Sequence, residues 1–143
     1  MFCDKEVSCP FCKLIAERQD RTIVFENDSV ISFMPLRPSH DGHVVIMPKT
    51  HYQDLFLIPD LEFFSLLQAA KQISAALKSL FAPPKVAVYS MGLEIEHAHL
   101  HLIPVFDPYD LTSRSEYERT AKEKSRAELA SLSNAIKHRL GCS

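Results

Sequence analysis

The sequence predicts an α+β domain, an antiparallel sheet of about five strands with one central helix and a C-terminal helix. Three observations predict it. Short β-branched runs bounded by turn residues recur before residue 50 and again between residues 85 and 103, one stretch after Asp60 carries apolar residues at helical spacing, and a second such stretch closes the chain. At 143 residues the chain is expected to form one domain, 1–143, large enough to bury about two-thirds of the surface that its unfolded form exposes.

Thr22 to Glu26 and Val30 to Met34 read as paired strands, because Asn27-Asp28-Ser29 between them has the composition of a hairpin turn. Pro35 to Asp41 is a loop, since its two prolines cannot continue a ladder. Gly42-His43 reopens a strand, Val44 to Met47, ended by Pro48. From Asp60 the positions Leu61, Phe64, Leu67, Ala70, Ile73, Leu77 and Leu80 recur at helical spacing, with Asp60 as candidate cap and Glu62 in the first turn. That helix must stop before Pro83-Pro84, which exclude the α region for the residue ahead of them. Lys85 to Ser90 and Ile95 to Ile103 are the last two strands, with Gly92 between them. Ser113-Arg114-Ser115-Glu116 reads as a capping box opening a C-terminal helix over 113–140, whose Leu129, Leu132, Ile136 and Leu140 form one stripe before Gly141. The mixed charge of its first half reads as a solvated face.

Composition excludes several function classes. Apolar residues make up 46% and charged residues 24%, the balance of a soluble globular chain. A formal net charge of −2 gives no broad footprint for nucleic acid or an anionic membrane, so any phosphate must be met locally. No run approaches the roughly 20 apolar residues of a membrane span, and Met1 to Cys9 carries acid and base but no apolar run. The expected location is the cytoplasm. Of the four cysteines, Cys9 and Cys12 form a C-x-x-C pair, whereas Cys3 and Cys142 lie near the ends.

The strongest chemical signal is His97-Ala98-His99-Leu100-His101-Leu102-Ile103. Strand side chains alternate faces, so the three imidazoles point one way while Ala98, Leu100 and Leu102 point to the core. Three adjacent polar rings opposite a buried face are costly unless ligand, metal or chemistry satisfies them. A neutral imidazole is a good nucleophile near pH 7, and flanking rings can orient it and donate to phosphate oxygens. A shared metal ion, or a merely exposed face, are the competing readings of the same spacing.

This run resembles the signature of the histidine triad family, His-x-His-x-His followed by apolar residues and Pro104. Gly42-His43-Val44-Val45-Ile46-Met47-Pro48-Lys49-Thr50-His51 resembles that family's Gly-His, apolar strand and Pro-Lys-x-His block, and with the Cys9 to Cys12 segment the similarity covers roughly residues 9 to 106. Gly-Leu-Glu ahead of the triad is similar to a bacterial branch of the family.

The resemblance implies an antiparallel sheet with helices on one side, a homodimer, and a reaction in which His99 takes a nucleotidyl group from a phosphoramidate, a dinucleoside polyphosphate or a related phosphoester. In that reaction His101 would contact the phosphate or leaving group, His97 would orient its neighbours, His43 would line the same pocket, and Gly92 would approach the phosphate. Three positions depart from the family pattern. Leu93 stands where a Gln is common, Val86 or Ala87 where an Asn often sits, and Pro35 where an acid usually grips the ribose.

Cys9-Pro10-Phe11-Cys12 has the spacing of half a tetrahedral zinc site, which two histidines would complete. A redox pair or two inert thiols are the alternatives, although no βαβ pattern surrounds the motif. By the family resemblance the two histidines are His51 and His97, and the zinc would clip the N-terminal segment to the sheet in a structural role.

Arg37 and Lys49 flank the strand that carries His43, but exposed basic residues beside a turn usually serve solubility. Phe11, Ile15, Phe25 and Phe33 are candidates both for a base pocket and for core packing. His40 and His138 have no partner in sequence and read as surface residues. Three functions compete: an enzyme forming an adduct on His99, a non-catalytic nucleotide- or zinc-binding module, and a metal carrier that uses the triad itself.

Overall fold

The computed structural model describes residues 8–18, 22–111 and 123–141. Its elements are α1 (Pro10–Glu17), β1 (Ile23–Glu26), β2 (Val30–Phe33), β3 (Val44–Pro48), α2 (Asp60–Phe81), β4 (Lys85–Tyr89), β5 (Leu100–Val105) and α3 (Arg126–Arg139), with a 3-10 turn at Leu55–Leu57. The five strands form one sheet in the order β1-β2-β3-β5-β4, every neighbouring pair antiparallel.

Asn27 closes the first hairpin as expected. Its Oδ1 accepts the N–H groups of Ser29 and Val30 at 3.0 and 2.8 Å, an Asx turn that supplies local partners to the bend. Gly42, ahead of β3, adopts a φ of +88°, and a Cβ there would stand 2.6 Å from the Phe81 ring and 3.0 Å from Pro104. Only glycine lets the chain pass this close to the end of α2, and that passage fixes where His43 enters the sheet.

The long helix forms where the apolar period predicts, but two details differ. Its N-cap is Pro59, whose carbonyl accepts the Phe63 N–H at 2.8 Å, so Asp60 is the first helical residue and complements the helix dipole without capping. The buried stripe runs through Leu66, Ala69, Ala70, Ile73, Ala76 and Leu77. At about 100° of rotation per residue, Leu61, Phe64 and Leu67 lie more than roughly 100° from the centre of that stripe. All three are exposed. The helix ends at Ala82 in the left-handed conformation, directly before Pro83.

The C-terminal helix opens at a capping box one turn upstream of Leu129. Ser125 Oγ accepts the Glu128 N–H at 3.2 Å while Glu128 Oε2 accepts the Ser125 N–H at 2.8 Å, giving Ser125-Arg126-Ala127-Glu128 the role expected of Ser113-Arg114-Ser115-Glu116. The latter four lie outside the described residues. Leu129 and Ile136 are buried, and Leu132 and Leu140 pack partly against the same core.

The sheet separates two apolar layers. Val24, Val30, Val44, Ile46, Leu100 and Leu102 face α2 and α3. Ile23, Ile31, Phe33, Val45 and Met47 face the other way, where Phe11, Leu14 and Ile15 of α1 cover them. Helices therefore occupy both faces, which corrects the one-sided arrangement that the family resemblance implies. The short helix is explained by Pro10 at its first position and by the i, i+3, i+4 apolar stripe of Phe11, Leu14 and Ile15.

The strand expected from Ile95 begins only at Leu100. The pairing with β3 stops at Ile46–Leu100 although β3 runs on to Pro48, because the Ala98 N–H bonds to the Tyr52 carbonyl at 2.7 Å rather than across the ladder. Alternation nonetheless persists through this extended segment: Ala98, Leu100 and Leu102 are in the α2 core and the histidines are on the opposite side.

Candidate active site and metal cluster

A cleft of about 900 Å³ opens on the α1 side of the sheet, lined by His43, His99 and His101 together with Phe11, Phe33, Pro35 and the β4–β5 loop around Gly92. His43 stands directly ahead of β3, and β5 presents His101. In the ladder, Val45 pairs with His101, and Tyr89 of β4 pairs with His101 from the other side.

Hydrogen bonds assign the proton on each ring. His99 Nδ1 lies 2.5 Å from the His97 carbonyl, and a carbonyl only accepts, so Nδ1 carries the hydrogen. The Nε2 lone pair of a neutral His99 is left for the cleft. The Ser39 backbone N–H donates to His43 Nδ1 at 3.1 Å, so neutral His43 carries its hydrogen on Nε2 and donates it to His101 Nδ1 at 3.0 Å. His101 in turn carries its hydrogen on Nε2. Neighbouring rings thus present a lone pair (His99) and a donor (His101), with their centroids 4.9 Å apart.

Burial keeps these rings neutral. It is the largest cause that lowers His43 to about 3, with a charged His101 or His40 adding repulsion, and it lowers His101 to about 4, with His99 adding repulsion. His99 is lowered by the same desolvation, opposed by its bond to the His97 carbonyl. Aromatic contacts hold the ring planes. Tyr89 stacks on His101 at 4.5 Å and 16°, and the edge of Phe11 meets His99 at 5.0 Å and 87°.

His97 turns away from its two companions. Its Nε2–H donates to the Pro48 carbonyl at 2.9 Å, which leaves a lone pair on Nδ1. That Nδ1 stands 3.5 Å from both Cys9 Sγ and Cys12 Sγ and 3.3 Å from His51 Nδ1, while Cys12 Sγ is 3.4 Å from His51 Nδ1. The four ligand atoms lie within 4.8 Å of one another and could hold a metal ion. Zinc bonds of about 2.1 Å to nitrogen and about 2.3 Å to sulfur place tetrahedral ligands roughly 3.4–3.8 Å apart, so the donor set fits this ion with little movement. The three triad rings do not converge on a single point, which disfavours a carrier built from the triad itself.

Other sequence candidates divide. Phe11 and Phe33 line the cleft, Ile15 packs on the α1 layer and Phe25 on the α2 core. Lys49 pairs with Glu26 at 2.7 Å, and His138 is exposed. Gly92 lines the cleft with a φ of +69°. Tyr89, Ser39 and Asp110 escape sequence reasoning, and His40, expected on the surface without a partner, is half-buried beside Ser39 and Asp110. Only the β4–β5 register brings Tyr89 onto His101, and only the loop fold brings His40 to Asp110, 3.8 Å apart.

Residues 16–107 match the model of the HIT domain. The chain belongs to the HIT family. Among HIT relatives, the adenosine 5'-monophosphoramidase of Saccharomyces cerevisiae is 31% identical over 71% of this chain and 65% of its own. The HIT fold is shared with a HIT-like protein of Bartonella henselae, 24% identical, covering 92% of this chain and 95% of that one at a TM-score of 0.78. A zinc-bound histidine triad protein of Mycobacterium smegmatis, 20% identical, covers 95% of each chain at a TM-score of 0.73.

Proposed function

We propose that this HIT protein cleaves nucleoside phosphoramidates, dinucleoside polyphosphates or related phosphoesters through a covalent nucleotidyl-histidine intermediate on His99. The observation that carries the reading is the bond from His99 Nδ1–H to the His97 carbonyl, which leaves the Nε2 lone pair to the cleft. In the first step Nε2 attacks phosphorus, the bond to the leaving group breaks, and the departing atom takes the proton of His101 Nε2–H. In the second, water gives its proton back to His101 and its oxygen to phosphorus, releasing the nucleoside monophosphate and neutral His99. Donors fixed before reaction, chiefly His101 and the backbone around Gly92, meet the phosphate charge, since no Lys or Arg among the described residues lines the cleft. Phe11, Phe33 and Val45 supply an apolar wall for a base.

Cys9, Cys12, His51 and His97 would hold a structural zinc tying α1 to the segment ahead of β5, and its charge would keep both thiols deprotonated. The reading as a homodimer rests on exposed apolar surface. Leu61 and Phe64 on the solvent face of α2 are 83% and 62% exposed, and Phe56, Leu57 and Val88 line a second concavity beside the outer strand β4. The cytoplasm fits a chain in which no helix among the described residues is long and apolar enough to cross a membrane. The deciding experiment incubates the protein with an adenosine phosphoramidate, a dinucleoside polyphosphate and a nucleotide sugar and follows monophosphate release. Release from at least one with an acid-labile adduct on His99 is expected. Binding without release in all three would make the chain a nucleotide-binding module instead.

A further inference from the structure

The proposed chemistry makes a demand that His101 alone cannot meet. A neutral imidazole that gives up its Nε2 proton becomes an imidazolate anion unless Nδ1 receives another proton at the same time, and an anion in this buried position is costly. The group donating to His101 Nδ1 is His43 Nε2–H. His43 faces the same limit and must be supplied at its own Nδ1. Two donors face that atom: the Ser39 backbone N–H at 3.1 Å, which cannot release its proton, and the Ser39 hydroxyl at 3.4 Å, which can.

Outward from Ser39 the chain of exchangeable groups continues. Ser39 Oγ is 3.2 Å from His40 Nδ1, and His40 Nε2 is 3.8 Å from Asp110 Oδ1. Exposure rises along it, from 2% at His43 and 8% at Ser39 to partly exposed His40 and Asp110. The geometry is held in place. Asp110 Oδ2 accepts the Phe106 and Asp107 N–H groups at 2.7 and 3.0 Å, and Lys124 straps the Ser39 loop through its N–H on the Leu36 carbonyl and its Nζ on Asp41.

We propose that Ser39, His40 and Asp110 form a proton relay that recharges His101 through His43 during each half of the reaction, a role that rests on the nucleotidyl-transfer reading above. As the leaving group takes the proton of His101 Nε2, His43 Nε2–H passes to His101 Nδ1, the Ser39 hydroxyl proton passes to His43 Nδ1, and His40 Nδ1–H passes to Ser39 Oγ. His40 regains a proton at Nε2 from solvent beside the Asp110 carboxylate. When water attacks the intermediate, its proton enters at His101 Nε2 and each transfer runs backward, which restores every starting tautomer without net gain or loss. Ser39, His40 and Asp110 act through His43 and are positioning residues.

The test compares two substrates with one nucleotidyl group: an alkylamine phosphoramidate, whose amine needs a proton to leave, and a p-nitrophenyl ester, whose phenolate leaves without one. Pre-steady-state release of each leaving group is measured in wild type, Ser39→Ala, Ser39→Thr and His40→Ala. Ser39→Ala keeps the backbone N–H on His43 and removes only the hydroxyl. The amine burst should slow by about 10- to 100-fold in Ser39→Ala and His40→Ala, the phenolate burst should stay within about twofold, and Ser39→Thr should restore the amine burst. Equal slowing of both bursts, or of neither, would overturn the relay while leaving the nucleotidyl-transfer reading intact. A folded wild type that releases neither leaving group would overturn that reading first and the relay with it.

Discussion

His43 Nε2 and His101 Nδ1 are 3.0 Å apart, joined by a hydrogen bond whose direction is set from outside the pair, because the Ser39 backbone N–H occupies the other nitrogen of His43. The bond aims the remaining proton of His101 into the cleft. Replacing His43 by Ala removes the support on His101 Nδ1 without touching the nucleophile. kcat should fall by about 10²-fold, the scale of a lost acid-base partner, with KM nearly unchanged. Steady-state kinetics on whichever substrate is active checks this, and a change confined to KM would contradict it.

The same pair makes folding stability depend on pH. His43 and His101 are held at about 3 and 4, below the ordinary 6.5 of an unfolded histidine, so between those limits the unfolded chain binds more protons than the folded one. Their contribution to stability is complete above about pH 6.5 and is lost as pH falls toward 4 and then 3. At pH 4.5 buried His43 alone should cost up to ~3 kcal/mol relative to pH 7.5. Thermal melts at the two pH values should show a smaller drop in His43→Gln than in wild type. Equal drops would show that His43 does not titrate in this window.

His99→Asn keeps the size of the ring's inner half and some hydrogen bonding but removes the nucleophile. Turnover should drop by several orders of magnitude while nucleotide affinity persists, the pattern of a deleted covalent catalyst. Rapid quench with labelled substrate followed by peptide mass spectrometry should find the monophosphate-sized adduct on the wild-type peptide that contains His99. An adduct on His97 or His101 would reassign the nucleophile.

Protein prepared without chelator should carry close to one zinc per chain, because two thiolates and two imidazoles close a tetrahedral shell. Cys9→Ser should lower the zinc content and the melting temperature more than it lowers kcat, since the cluster anchors α1 beside the cleft. Elemental analysis and melting curves decide it. Unchanged zinc in Cys9→Ser would mean that the metal is held elsewhere.

If α2 lies between two subunits, a charge at its exposed face must break the assembly. Light scattering should give a dimer mass for wild type at micromolar concentration and a monomer mass for Phe64→Glu, which is exposed in the isolated chain and so should still fold. A monomeric wild type would remove the homodimer.

The sequence by itself determined the five strands, the two longer helices and the direction of the triad, but not the short helix α1. Alternation in His97-Ala98-His99-Leu100-His101 needs only an extended backbone, and the Asn27 turn, the stop at Pro83 and the apolar period through Ala70, Ile73 and Leu77 are equally local. Reading that period one face too early, through Leu61, Phe64 and Leu67, came from a helix with apolar residues on two sides, of which only packing against the sheet selects one. Tertiary structure decided everything that depends on register. It turned His97 toward Cys9, 88 residues away, and left His99 and His101 in the cleft, it stacked Tyr89 on His101, and it joined Ser39, His40 and Asp110 to His43. A side chain's direction follows from the repeat of its own backbone, whereas its partner follows from where strands and loops far along the chain come to rest.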